Sequence, residues 1–197
     1  HYGIVGPRLK SENGSLQLSV RGFPTVWRLC TEYFLLRKLA PTTRAFNAFY
    51  GAGFDYAEVC EPDWLMGAAL VVKRDLIAEI GGFDEKFFLF NEEVDLCYRA
   101  RAAGWSIAFT PDATFVHLGG ASTRQVWLPV YQEQLRGHVR FLDKHAGAKE
   151  AEQARRWLIR GLRMRALVFS GERGRTYAEA ARWLRSTSVT ALLESVP

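Results

Sequence analysis

Near Val126 the hydrophobic period of this chain changes. Upstream, apolar residues come in short runs broken by glycine and proline; downstream, Val130–Lys144, Ala148–Phe169 and Thr176–Arg185 carry them at helical spacing, with Gly147 and Ser170–Gly174 as breaks. That switch predicts an α/β part followed by a helical part, and no internal repeat suggests otherwise. With 48% apolar and 13% aromatic residues in 197, the chain can bury a real core, which excludes disorder for most of it. The longest uncharged apolar stretch, Trp64–Val72, is about half of the roughly 20 residues that cross a bilayer.

Charge divides at nearly the same place. Residues 1–135 hold 13 basic and 15 acidic side chains, whereas residues 136–185 hold 13 basic and 5 acidic, a balance of +8. A mildly acidic front and a basic tail point to two jobs. Cys30, Cys60 and Cys97 are odd in number, widely spaced and without a CxxC pair, so a disulfide framework or structural zinc is not expected.

Along the front, Tyr2–Pro7 reads as a strand ended by Gly-Pro, and Leu16–Val20 as the return strand of a hairpin after the Ser11–Ser15 turn. Trp27–Leu39 has helical spacing through Trp27, Cys30, Phe34 and Leu35. Residues 42–62 read as a loop region. Ala68–Val72 has the pattern of a strand buried on both faces. Asp75–Ile80 and Glu92–Ala103 read as helices stopped by Gly81 and Gly104, and Ile107–Phe109 and Thr114–His117 as two strands separated by Pro111-Asp112.

Three places could carry chemistry. Glu92, Glu93 and Asp95 crowd one helix start, where mutual repulsion raises at least one pKa and primes a general base. Glu92, Asp95 and Arg99 share a face, with Glu93 turned about 100° from Glu92. Acids also favour helix N-termini for the macrodipole alone. His117 ends a strand before Gly119-Gly120, where a neutral imidazole could ligate a divalent metal or simply be hydrogen-bonded. Trp64 precedes an apolar strand and could provide a stacking wall for a sugar ring or base, or belong to the core. No GxGxxG, Walker or Ser-His-Asp pattern occurs, so dinucleotide, ATP and serine-hydrolase readings have no support.

The ordered set Val5–Leu9, Asp63–Ala68, Gly81–Glu85, Phe87-Phe88, Glu92–Leu96, Arg99, Gly104-Trp105 and His117 resembles family 2 glycosyltransferases, in particular their bacterial rhamnosyltransferase-like branch. The match spans roughly residues 3–145. The resemblance implies a GT-A fold (Rossmann-like, with a mixed sheet) and inverting transfer from a nucleotide-diphosphate sugar, rhamnose among the candidates, with Mg²⁺ or Mn²⁺ as cofactor. It places the general base at the Glu92-Glu93 pair, with Glu93 standing where relatives often carry Asp, and Asp95 beside it. It places Trp64, Gly67, Ala68 and Arg99 near the sugars and His117 at the metal. The family's Asp-x-Asp does not occur in this sequence; Asp84-Glu85 is its nearest lookalike. The expectation is therefore an acceptor-side, C-terminal piece whose nucleotide-binding half and main metal ligands precede His1, inactive on its own. Residues 1–125 would be the partial GT-A domain and 126–197 a basic amphipathic helical extension. The acceptor would be a glycan or lipid-linked glycan of cell-surface polysaccharide synthesis. The location would be cytoplasmic, with residues 136–185 available to an anionic membrane at its inner face and no nucleic-acid partner. A non-catalytic glycan- or membrane-binding module is the competing reading.

Overall fold

A computed structural model of the chain describes residues 2–51, 54–119 and 127–194. The strands are β1 (Tyr2–Lys10), β2 (Leu16–Gln17), β3 (Val20–Arg21), β4 (Trp64–Leu65), β5 (Val71–Val72) and β6 (Ser106–Val116). The α-helices are α1 (Val26–Tyr33), α2 (Arg44–Asn47), α3 (Arg74–Ile80), α4 (Glu92–Ala102), α5 (Trp127–Ala146), α6 (Ala148–Val168), α7 (Gly171–Ser186) and α8 (Val189–Glu194). The architecture is mixed α/β with the long helices at the C-terminal side. The chain divides into two compact units: His1–Phe23, Thr42–Glu85 and Glu92–Arg124 form the first, and Pro24–Pro41, Lys86–Asn91 and Gln125–Pro197 the second. The expected boundary at 125/126, including Val126 itself, lies outside the described residues, as does Gly120.

In the first unit β1 is the central strand of a mixed sheet. It pairs antiparallel with β5 through Ile4 and Val5, antiparallel with β2 through Leu9 and Lys10, and parallel with β6 along most of its length. Ile4, Leu9, Ile107 and Phe109 are buried in the sheet, and Leu65, Leu76 and Leu96 are buried in the same unit. The strands do not stop at their prolines. Pro7 pairs with Thr110 and Arg8 with Thr114, so residues 111–113 bulge out of the ladder where Pro7 and Pro111 cannot donate to it. β1 and β6 are therefore each one strand, where the sequence pattern suggested an end at Pro7 and a break at Pro111. Ala68–Val72 also differs from expectation. Only Val71 and Val72 are strand, and Val71 is 72% exposed on the sheet edge. Cys30, Cys60 and Cys97 are all free thiols. Cys97 is fully buried on α4, and burial pushes its thiol up to about 12.

In the second unit α6 packs against α1, α5 and α7, with Leu135, Val139, Leu158, Leu162 and Leu184 buried between them. Two buried arginines fasten helix ends. Arg165 donates to the carbonyls of Glu32 and Tyr33 (2.9 Å to the latter) and to the Glu32 carboxylate at 2.9 Å. Those carbonyls are the ones residues 36 and 37 would need for α1 to continue. This is why the helix ends at Tyr33, short of the expected Leu39, with Leu35 left-handed at φ 60° and a 3₁₀ turn following. Its inward residues are Leu29 and Tyr33, while Trp27 is exposed. Arg140 donates to the carbonyls of Lys86, Leu192 and Leu193, tying down α8, a helix too short to show a period in sequence. α7 begins at Gly171, so Gly171–Gly174 is its first turn and no break.

Asn91 and His138 are buried together, with His138 Nδ1 3.0 Å from Asn91 Oδ1. Burial pushes His138 down to about 4, so it is neutral. Gly161 is the closest approach of α6 to α1: a Cβ there would lie 2.7 Å from Tyr33 Cβ and 3.2 Å from its carbonyl. Gly161→Ala gains about 1 kcal/mol of helix propensity but overpacks this contact at a cost of about 1–3 kcal/mol. Thermal unfolding is therefore expected at a lower midpoint for the variant. An unchanged or raised midpoint would show that α1 and α6 can move apart without loss.

Candidate active site

α4 starts with three carboxylates in its first turn, and they have three different environments. Glu92 is half-buried, and burial raises its pKa. Glu93 is only 8% exposed and seats its side chain on the backbone of Gly67. A Cβ at Gly67 would lie 3.3 Å from Glu93 Cβ and 3.4 Å from its Cγ, so a side chain there would crowd the carboxylate. Burial first, and then the neighbouring charge of Glu92, push Glu93 up to about 7, while backbone amides of Glu93, Gly67 and Val94 pull the other way. Its Oε2 is buried without a hydrogen-bond partner.

Asp95 is 0% exposed and committed to Arg99, whose Nε donates to it at 2.7 Å. The same guanidinium donates to the carbonyls of Ile80 at 2.8 Å and Gly82 at 2.7 Å. The pair thus holds the Gly81-Gly82 turn on α4, a local-to-distant link that explains why Arg99 stands one turn after Asp95. Trp64 is a core side chain: it is 8% exposed, its indole N–H donates to the Gly22 carbonyl at 2.9 Å, and its ring meets Phe49 edge-on. A buried indole with its N–H spent is no stacking wall, which corrects that expectation. Gly67 and Ala68, just beyond β4, are exposed.

His117 follows the end of β6 and stands at a different cluster. Its backbone N–H donates to the Lys10 carbonyl at 2.9 Å, extending the β1–β6 ladder. Gln17, on β2, clasps it from both sides: Gln17 Nε2 donates to the His117 carbonyl at 2.8 Å, and Gln17 Oε1 lies 2.8 Å from His117 Nδ1. The His117 carbonyl can only accept, which fixes the amide's direction, and Gln17 Nε2 also donates to Ser11 Oγ at 3.1 Å. His117 Nδ1 is therefore the donor to Oε1, which leaves Nε2 as the ring nitrogen that faces other partners. The ring lines a polar cleft of about 660 Å³ with Ser11, Glu12, Asn13, Gln17 and Gly119. Among the described residues no three His, Cys, Asp or Glu side chains come together as a metal site. An oriented imidazole can supply one ligand to a divalent ion but does not by itself make a site. No hydrogen bond or ion pair joins it to Glu92 or Glu93 among the described residues. Gln17 had no sequence signal, because it reaches His117 across 100 residues.

Residues 62–158 match the model of the glycosyltransferase-like family 2. Through that segment the chain belongs to family 2. Every candidate position from Trp64 to His117 falls inside it. Among curated proteins, the N-acetylglucosaminyl-diphospho-decaprenol L-rhamnosyltransferases of two Mycobacterium tuberculosis strains are 30% identical over 161 residues, covering 81% of this chain and 51% of each relative. The rhamnosyltransferase WbbL of Escherichia coli K12 is 26% identical over 80 residues, 41% of this chain and 30% of the relative. The chain spans about half the length of the mycobacterial relatives. The mixed sheet and the helices beyond it are consistent with a family 2 GT-A domain and a helical extension.

The environment of Glu93 sets a pH dependence of stability. Its folded pKa, about 7, is above the ordinary carboxylate value of 4.5, so the folded state binds the extra proton. The stabilisation is complete below about pH 4.5 and is lost as pH rises through about 7. Urea unfolding of the chain should accordingly show stability falling by on the order of 3 kcal/mol between those limits. Glu93→Gln should flatten that change, and an equally steep profile in the variant would assign it to another group.

Proposed function

We propose that this chain is the acceptor-side part of an inverting glycosyltransferase that moves a sugar from a nucleoside-diphosphate sugar to a hydroxyl of a glycan or lipid-linked glycan. Residues 1–125 form its GT-A portion and 126–197 its helical extension. The observation that carries this reading is Glu93: a buried carboxyl poised near 7, with one oxygen left without a hydrogen-bond partner. A base of that kind takes a hydroxyl proton at neutral pH. In the step proposed, the acceptor oxygen bonds to the anomeric carbon as the bond from that carbon to the diphosphate oxygen breaks. Glu93 keeps the acceptor's proton, and the nucleoside diphosphate leaves with the electron pair. A single in-line displacement inverts the anomeric centre. Glu92 raises the basicity of its neighbour by charge, Gly67 seats it, and Asp95 with Arg99 hold the adjoining turn.

A divalent metal would neutralise the leaving diphosphate; His117 would be one ligand, oriented by Gln17. Support for rhamnose as the sugar and for a lipid diphosphate acceptor comes from the names of the relatives. For location we propose the inner face of the cytoplasmic membrane, reached from the surface by the basic helices. No helix among the described residues is long and apolar enough to cross a membrane.

The test uses the protein joined to its nucleotide-binding part. Glu93→Gln should lower kcat by about 10²-fold or more with donor KM little changed. The wild-type rate should rise with pH and level off above about 7, and the variant should lose that rise. Wild-type turnover in the Gln variant would remove Glu93 as base and assign the role to Glu92 or another group, whereas no turnover by the joined wild-type protein would leave the binding-module reading. For the metal, His117→Ala should raise the Mn²⁺ concentration needed for half-maximal rate, and Gln17→Ala should do so by about 10- to 100-fold as an orienting contact. An unchanged Mn²⁺ requirement in both variants would return His117 to a purely structural role.

A further inference from the structure

Most of the thirteen cations of residues 136–185 have partners inside the second unit. Arg140 and Arg165 are buried on carbonyls. Arg136 pairs with Glu133, and Arg155 and Arg156 share Glu152. Arg160 lies over Trp157 at 4.8 Å and Arg173 over Phe169 at 4.3 Å. Of the exposed cations that remain, Lys149 and Arg175 stand apart from the groove lining, and three others line one groove. Arg163 on α6 and Arg182 and Arg185 on α7 edge a groove of about 290 Å³ floored by Ala178 and Ala181 and closed by Leu167. Arg163 and Arg185 make neither a hydrogen bond nor an ion pair among the described residues, and Arg182 reaches Glu179 only at 3.9 Å with both side chains exposed. Beside the groove, Leu167 is 89% exposed and Val168 is also exposed, at the C-terminal end of α6.

We propose that this α6–α7 groove is where the protein sits on a bilayer: the three arginines take the phosphate of an acidic phospholipid, and Leu167 and Val168 enter the boundary with the acyl chains. The chemistry is complementary on both counts. Guanidinium groups bind phosphate oxygens through paired N–H donors, and an alanine floor next to two exposed aliphatic side chains suits the apolar underside of a headgroup. A nucleic-acid backbone would use the same arginines but would leave Leu167 and Val168 in water. The inference rests on the membrane location proposed above and is independent of the role of Glu93.

The experiment is sedimentation of the 197-residue chain with vesicles of phosphatidylcholine containing about one quarter phosphatidylglycerol, against vesicles of phosphatidylcholine alone. An arginine engaged at an anionic surface is worth roughly fivefold in partitioning, so Arg163→Gln/Arg182→Gln/Arg185→Gln should reduce binding about 100-fold. Lys73→Gln/Arg74→Gln/Lys149→Gln, which removes the same charge from exposed positions elsewhere, should change it only a few-fold. Leu167→Ser/Val168→Ser should weaken the binding that persists at high salt, where the Coulombic part is screened. All changed positions are exposed, and a thermal melt of each variant checks that the fold is kept. Equal losses in the two charge triples would overturn the groove and keep the membrane location. Equal or no binding of wild type to both vesicle types would overturn both. Loss of binding to an RNA homopolymer, with vesicle binding intact, would assign the groove to a different partner.

Discussion

The parallel pairing of β1 with β6 is the contact on which the first unit is built. It joins the first residues of the chain to residues about a hundred positions later, and both strands have to cross a proline to complete it. The three-residue bulge opposite Pro7 and Arg8 makes that possible, because the ladder is interrupted where neither proline can donate. Beyond the bulge the pairing resumes through Val116 and then through the His117 amide. The imidazole that would face a metal is thus positioned by register, with Gln17 adding the orientation of its ring. The carboxylate end is built differently. Glu93 is placed by a helix start and a glycine seat, buried with one carboxylate oxygen left without a hydrogen-bond partner.

In the second unit cations do the work that backbone amides do elsewhere. Arg165 and Arg140 satisfy carbonyls at helix ends, and each costs side-chain freedom and desolvation that several hydrogen bonds offset. A basic stretch in a sequence is therefore a poor measure of the charge that a surface presents. Here many of the thirteen cations of residues 136–185 have internal partners, and three of those left line one groove.

Much of the fold was legible. The long helices α5, α6 and α7 follow from apolar spacing, and α3 and α4 from spacing plus the glycines after them. What failed to read were effects of distant partners. The end of α1 depends on Arg165, 132 residues away in sequence from Tyr33. Trp64 shows the same limit, since a Trp before a strand looks alike whether it faces ligand or the Gly22 carbonyl. At the candidate site the carboxylate cluster was visible from composition alone, but which member is buried, which is paired and which is poised is set by Gly67, Arg99 and burial.

Cys97 lies on α4 four residues after Glu93, has no exposed surface and holds its proton at any physiological pH. A thiol in that condition reacts with alkylating reagents only while it is uncovered, because both access and ionisation require water to reach it. Its labelling rate therefore measures how often α4 leaves its packed position. The helix that carries the candidate base thus contains its own clock for local opening, readable without substrate or metal.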